Sequence, residues 1–201
     1  EGMGLPVPLE RILTSGSATA ALIRERYAGK RAFVLGNEYL LAEFEEAGVP
    51  IDQQNPDLVV IGYDTTLDYK KMTAVCDFVR AGLPYVATHP DFNCPTETGF
   101  APDIGAIMAF IEASTGRRPE LIVGKPHAEI VNAALKRTGS TREETAMVGD
   151  RLYTDIETGL RYGMLSILVL SGETTPEMLA ASQTKPDFVF DCLGEMVPLL
   201  Q

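Results

Sequence analysis

Short apolar runs rich in β-branched residues alternate along this chain with longer segments in which apolar positions recur every three or four residues. The first pattern predicts strands buried on both faces, and the second predicts helices that cover them. Regular alternation of strands and helices is typical of parallel βα units, so the predicted class is α/β with a parallel sheet. The predicted strands are 11–14, 32–35, 57–61, 84–87, 121–123, 145–149, 164–170 and 188–190.

The predicted helices lie between these strands, and from Lys30 the pattern restarts as a compact α/β unit of its own. Pro126 is suited to the first position of a helix. The longest irregular stretch is 89–102, and a loop of that length is either functional or a satisfied surface loop; both interpretations stay open. The predicted helices are a segment from Ser15, then 38–47, 67–81, 104–114, 128–136, 155–162, a segment from Thr174 and a terminal segment.

Two hydroxyl residues, Thr14 and Ser15, stand directly before the first helix. A hydroxyl in that place is either a nucleophile or a helix cap. Because the sequence positions no histidine as their partner, a cap is the prediction.

Candidate chemistry begins with two aspartates near one strand. Asp150 follows the apolar run 145–149, and Asp155 falls at the start of the next helix. Open α/β sheets bind ligands at the carboxyl ends of their strands. Two hard oxygen donors suit Mg²⁺, which takes one or two carboxylates and leaves positions for water and phosphate oxygens. The structural alternative is that Asp150 caps the helix while Asp155 favours its positive end.

A lysine strengthens the metal interpretation. Lys125 follows another short apolar strand and, taken alone, is best interpreted as a solvated loop residue. Together with Asp150 and Asp155 it predicts a cluster that could hold a metal and a phosphate.

Charge and cysteine content narrow the function classes. Lysine and arginine number 17 against 28 acidic residues, and the net charge of −11 argues against binding nucleic acid or anionic membrane. Cys76, Cys94 and Cys192 are odd in number and have no metal-ligand spacing, which indicates reduced thiols and a cytoplasmic protein. No apolar run approaches the ~20 residues of a membrane span, and no secretory signal is evident.

These motifs add up to a family resemblance. Gly124-Lys125-Pro126, then Val148-Gly-Asp-Arg-Leu-Tyr-Thr-Asp155, then Ile167-Leu-Val-Leu-Ser-Gly172 resemble the third and fourth motifs of haloacid-dehalogenase-superfamily phosphatases. The NagD-like branch fits best, because Leu13-Thr-Ser15, Asn55-Pro-Asp57 and Thr88-His-Pro-Asp91 are also similar to it.

The resemblance implies a Rossmann-like core formed by 1–30 and 120–201, with an inserted α/β cap at 31–119. It implies that Lys125 binds the transferring phosphoryl group, that Asp150 coordinates Mg²⁺ and that Asp155 ligates the metal or holds its waters. His89 and Asp91 are candidate substrate contacts in the cap, although relatives often carry asparagine where His89 stands. The implied partner is a small phosphorylated metabolite, and a homodimer is left open.

The departures from the family pattern limit the functional prediction. The family's nucleophilic aspartate, within an Asp-x-Asp-Gly-like motif, and its Thr or Ser motif are absent from the sequence. Residues 1–8 resemble the tail of the helix and turn that follow those motifs, so we expect several dozen residues before Glu1 and an inactive 201-residue chain. The expectation is a Mg²⁺-dependent phosphatase acting on sugar phosphates, nucleotides or aryl phosphates through an aspartyl-phosphate, with the nucleophile outside this chain. The alternative is a non-catalytic phosphate- or metabolite-binding module.

Overall fold

A computed structural model describes residues 7–200, and the interpretation of residues 1–8 falls almost wholly outside them. The chain forms two compact units, 1–124 and 125–201. The strands are β1 Ala32–Leu35, β2 Leu58–Ile61, β3 Tyr85–Ala87, β4 Asn93–Thr96, β5 Gly99–Pro102, β6 Leu121–Ile122, β7 Ala146–Gly149, β8 Leu165–Val169 and β9 Phe188–Phe190. The α-helices are α1 Ser15–Arg26, α2 Glu38–Glu46, α3 Tyr69–Arg80, α4 Ile104–Thr115, α5 Ala128–Thr138, α6 Glu157–Tyr162 and α7 Pro176–Ala181.

Unit 1–124 is built on a parallel sheet in the order β1-β2-β3-β6. Leu35, Ile61 and Ala87 are in register, so the residues that follow these strands emerge at one edge of the sheet. Alternate strand residues pack against α3 and α4 and form the main core. One face of α3 is buried in this core through Met72, Val75 and Val79.

Unit 125–201 contains a second parallel sheet, in the order β7-β8-β9. Its core is small and is centred on Leu152, Ile156 and Leu168. The helix expected to begin at Asp155 starts instead with a π-helical turn, Leu152–Ile156, which leads into α6. Both sheets are parallel, which confirms the predicted α/β class.

Several local predictions are wrong. The strand expected at 11–14 does not form: Leu9–Arg11 is a 3-10 turn and Thr14 caps α1. The segment 89–102, expected to be irregular, contains the antiparallel hairpin β4–β5. The terminal helix is a 3-10 helix, Leu193–Leu200. Pro126 does not open α5, which begins at Ala128 with His127 as its N-cap, and the Lys125–Pro126 peptide bond is cis.

The cap prediction for Thr14 is confirmed. Its hydroxyl oxygen accepts a hydrogen bond from the Ser17 N–H at 2.9 Å, and its own N–H donates to the Ser17 hydroxyl at 3.0 Å. The predicted division into a core of 1–30 with 120–201 and a cap of 31–119 stays a prediction. Within 7–200, no helix is long and apolar enough to cross a membrane.

A pair of neighbouring residues on α4 tests the assigned core. Ile111 is fully buried against the sheet of unit 1–124, whereas the adjacent Phe110 is 47% exposed. We expect Ile111→Ala to lower the free energy of unfolding by about 2–5 kcal/mol, because it removes buried methyl groups and leaves a cavity. Phe110→Ala, the matched control, is expected to cost much less. Chemical denaturation measures both, and equal losses would contradict the assigned packing.

Candidate active site

An ion pair with a buried carboxylate organises the predicted site in unit 125–201. The Lys125 ammonium donates to Asp155 Oδ1 at 2.5 Å, and Asp155 is almost completely buried. Asp155 Oδ2 accepts from the Arg151 N–H at 3.1 Å. Both oxygens of this carboxylate therefore have partners, which a buried charge requires. Two of the three residues predicted from strand ends, Lys125 and Asp155, are in direct contact.

Gly149 makes room for that carboxylate. A Cβ atom at Gly149 would lie 2.2 Å from Asp155 Cγ, closer than real Cβ contacts. Asp155 can therefore fold back against the end of β7 only because the strand ends in glycine. The Gly-Asp motif thus has two functions: its aspartate supplies a carboxylate and its glycine admits a second one.

Asp150 is fixed by the loop that follows β8. Its Oδ2 accepts from the Glu173 N–H at 2.7 Å, and its carbonyl oxygen accepts from the Thr174 hydroxyl at 2.6 Å. Gly172 permits this approach, because a Cβ there would lie 2.1 Å from Asp150 Oδ2. The Arg151–Glu173 ion pair, at 2.7 Å, fastens the same loop. Sequence reasoning missed this role for residues 172–174; the only signal was the glycine directly after an apolar strand.

The donor set fits one hard cation at Asp150. No described residue donates a hydrogen bond to Asp150 Oδ1, and this oxygen stands at the carboxyl end of β7. A carboxylate oxygen in that position is a suitable Mg²⁺ ligand, with waters completing the shell. Asp155 is less available, since its two oxygens already accept hydrogen bonds from Lys125 and Arg151. Burial lowers the pKa of His127, which follows Lys125 and Pro126 along the chain.

The other two predicted site residues, His89 and Asp91, lie in unit 1–124. His89 Nε2 lies 3.0 Å from Asp103 Oδ1, and its Nδ1 lies 3.3 Å from Ser15 Oγ and 3.2 Å from Thr88 Oγ1. One group each from His89, Asp91 and Asp103 lies within 4.8 Å of the others. Asp103 Oδ1 also accepts from the Ile104 N–H at 2.7 Å as the cap of α4, so hydrogen bonding accounts for this cluster. That His89 and Asp91 contact substrate stays a prediction.

A cavity of about 530 Å³ opens beside His89 in unit 1–124. It lies where β1 and β3 end and where α1 begins, and Ser15, Thr88 and His89 line it. The sequence places no histidine near Ser15, which favours a helix cap over a nucleophile. The fold supplies a histidine partner, 74 residues away along the chain.

The site residues and the fold indicate the protein family, and two family models match the chain. The HAD-hydrolase-like family model matches residues 122–196, and the haloacid dehalogenase-like hydrolase model matches residues 1–50. The chain belongs to this family of haloacid-dehalogenase-like hydrolases, and its relatives place it among the phosphoric monoester hydrolases of the NagD-like branch.

Three similar proteins illustrate that placement. The chain is 37% identical over 193 residues to ribonucleotide monophosphatase NagD of Escherichia coli, covering 96% of this chain and 75% of NagD. It is 33% identical over 196 residues to the 5'-nucleotidase YutF of Bacillus subtilis, covering 98% and 76%. The crystal structure of a 4-nitrophenylphosphatase from Thermotoga maritima superposes with a TM-score of 0.96 at 50% identity, covering 100% of this chain and 77% of that one.

The close approach at Gly149 can be tested directly. We expect Gly149→Ala to lower the free energy of unfolding by about 1–3 kcal/mol, because the added methyl group collides with the Asp155 carboxylate. Gly194→Ala is the matched control, since the nearest atom to a Cβ there is the Cys192 sulfur at 3.4 Å, an ordinary contact. Equal stability of the Gly149→Ala variant and the parent would show that Asp155 does not occupy this position.

Proposed function

We propose that the protein hydrolyses small-molecule phosphate monoesters with the help of Mg²⁺, through an aspartyl-phosphate. The observation that carries the proposal is the ion pair between the partly exposed Lys125 ammonium and the buried Asp155 carboxylate, close to Asp150, whose Oδ1 accepts no hydrogen bond from any described residue. Relatives named as acting on ribonucleotides, acid sugar phosphates and 4-nitrophenyl phosphate support a substrate among nucleotides, sugar phosphates and aryl phosphates.

Lys125 would bind the transferring phosphoryl group. An ammonium carries three N–H donors, and Asp155 accepts from one of them, so two remain for phosphate oxygens. Because Asp155 is itself held by the Arg151 N–H, the lysine is positioned before the substrate arrives. A cation fixed in advance stabilises the charge that develops during phosphoryl transfer without reorganising at that moment.

Asp150 would hold Mg²⁺ through its free oxygen. When bound, the ion neutralises charge on the phosphoryl oxygens. The Glu173 N–H keeps the carboxylate aimed, and Arg151 and Glu173 keep that loop in place. Asp155 contributes through Lys125 and through any metal-bound water within its reach.

The attacking carboxylate would come from residues outside this 201-residue chain. No two aspartates in the sequence are two residues apart, so the Asp-x-Asp pair that the covalent route uses is absent from it. Asp150 and Asp155 cannot attack phosphorus and protonate the leaving group while also holding the metal and the lysine.

Segment 31–119, which carries His89 and Asp91, would select the substrate. The enzyme would act in the cytoplasm. Support for that compartment comes from Cys76, Cys94 and Cys192, all of which are free thiols. A non-catalytic binding module has no comparable support, because the relatives that cover nearly the whole chain are named as phosphatases or nucleotidases.

The metal assignment predicts the effect of a neutral, isosteric substitution. In the full-length protein, Asp150→Asn should abolish Mg²⁺-dependent turnover of 4-nitrophenyl phosphate, because the neutral amide lacks the negative charge with which the carboxylate binds Mg²⁺. Asp77→Asn, an exposed residue of α3, is the control and should behave like the parent. Steady-state kinetics across a Mg²⁺ titration measure this effect. Unchanged turnover and metal affinity in the Asp150→Asn variant would contradict the assignment of Asp150 as a metal ligand.

The lysine assignment predicts a loss in kcat. Lys125→Ala should lower turnover by ~10²-fold or more, because the fixed cation facing the phosphoryl group is lost. Lys70→Ala, an exposed lysine of α3, is the matched control. A thermal melt of each variant separates catalysis from folding, since the substitution also leaves Asp155 without its partner. Kinetics equal to those of the parent would show that Lys125 is a solvated loop residue with no part in catalysis.

A further inference from the structure

Three side chains of unit 1–124 form a connected chain of hydrogen bonds. Asp103, Ser15 and the His89 ring between them take no part in the metal and lysine chemistry assigned to unit 125–201. Ser15 and His89 line the cavity of about 530 Å³, so the end of this chain is open to a ligand. The size is typical of small-molecule sites.

The carboxylate determines which ring nitrogen of His89 is basic. A carboxylate can only accept hydrogen bonds, so Nε2 must carry the proton that it donates to Asp103 Oδ1 at 3.0 Å. The neutral ring then has its lone pair on Nδ1, which can accept from the Ser15 hydroxyl at 3.3 Å. Asp103 is buried and also bonded to the Ile104 N–H, so it holds the ring firmly. Ser15, His89 and Asp103 are therefore connected as a nucleophile, its base and the group that orients the base.

The backbone around Ser15 supplies donors for a developing negative charge. Ser15 and Gly16 are the first residues of the 12-residue helix α1. No residue in the described range 7–200 accepts a hydrogen bond from either of their N–H groups. The third N–H, that of Ser17, is used by the Thr14 cap. The N–H of a nucleophilic serine contributes to the oxyanion hole in one group of hydrolases, and the N–H of the residue after the serine contributes to it in another.

We propose that Ser15, His89 and Asp103 form a second, metal-independent hydrolytic centre that cleaves carboxylic esters. Ser15 Oγ forms a bond to the ester carbonyl carbon while its proton passes to His89 Nδ1. The carbonyl oxygen takes the electron pair and is held by the Ser15 and Gly16 N–H groups. The bond to the alcohol then breaks, and the alcohol leaves with the proton from Nδ1. Water, deprotonated by Nδ1, then attacks the carbonyl carbon of the acyl-serine. The bond to Ser15 Oγ breaks, the proton passes from Nδ1 to that oxygen, and the carboxylic acid is released.

Charge in the cavity defines the class of ester. Glu43 and Glu46 line it, and Glu43 accepts from the Thr14 hydroxyl at 2.7 Å. A Cβ at Gly16 would lie 2.2 Å from Glu43 Oε2, so this carboxylate is close to the start of α1. Its negative charge opposes phosphate and carboxylate groups of a substrate, so the acyl group accepted here is neutral or cationic. The same charge also opposes the oxyanion, and the Ser15 and Gly16 N–H groups must offset it.

The test compares two esters with the same chromophore on the full-length protein. The parent is expected to hydrolyse 4-nitrophenyl acetate in chelator, where 4-nitrophenyl phosphate turnover stops. Ser15→Ala should lower acetate hydrolysis by about 10²-fold or more while leaving phosphate hydrolysis unchanged. Asp150→Asn should do the reverse. Acetate hydrolysis that is unchanged in Ser15→Ala would overturn the proposal.

Further variants test which residues carry out the acetate hydrolysis. His89→Gln should abolish acetate hydrolysis, whereas His127→Gln, which removes the other histidine, should not. Asp103→Asn retains a capping side chain for α4 and should lower the rate while shifting its pH profile. Mass spectrometry after rapid quenching should find the acetyl group on Ser15. An acetyl group on Thr88, whose hydroxyl is also within reach of Nδ1, or on no residue would overturn the assignment of the nucleophile.

Discussion

The buried carboxylate of Asp155 is the constraint on which unit 125–201 depends. An ionised group at such depth is tolerated only if its oxygens are paired, and Lys125 and the Arg151 N–H pair both of them. Removing the lysine would leave a buried charge without compensation. Because Lys125 begins the unit and Asp155 lies 30 residues later, this single contact joins two segments that the function needs together.

Glycine makes the contact geometrically feasible. Gly149 admits the Asp155 carboxylate, and Gly172 admits Asp150 against the loop after β8. In unit 1–124, Gly124 plays the same part, because a Cβ there would lie 2.6 Å from His89 Cβ. At each of these three glycines, a polar side chain packs directly against the glycine backbone. A residue with a Cβ atom in the same place would collide with that side chain.

The sequence predicts well what depends on local pattern. The four residues Ala32–Leu35 are buried throughout and form the strand that their apolar run predicts. Ile12 and Leu13 are equally apolar but pair with no strand among residues 7–200, so an apolar run alone does not make a strand. The β4–β5 hairpin is hard to predict because each of its strands contains a proline. The feature of the sequence that indicates it is Gly99, which follows the two-residue turn and has a φ of 146°.

Candidate residues at strand ends were also predictable, whereas their partners were not. Lys125 and Asp150 each follow an apolar run, and parallel strands bring such positions to one edge of a sheet. Asp155 was predicted from its place in the helix that follows Asp150. Ser15 and Asp103 follow no such rule. Each stands at the start of a helix, where capping is a sufficient explanation, and their contacts with His89 span 74 and 14 residues. Only the folded chain shows that the same positions meet one imidazole.

The two sets of residues differ in the charge that they can accept. In unit 125–201 a fixed ammonium stands beside a carboxylate with one free oxygen, an arrangement that attracts an anion together with a cation. In unit 1–124 the cavity is lined by Glu43 and Glu46, and the His89 imidazole that also lines it directs its Nε2 proton at Asp103. A phosphate is favoured at the first and opposed at the second. If both centres act, electrostatics rather than shape keeps their substrates apart, because an uncharged ester gains nothing from Lys125 and, unlike a phosphate, is not repelled by Glu43 when it binds.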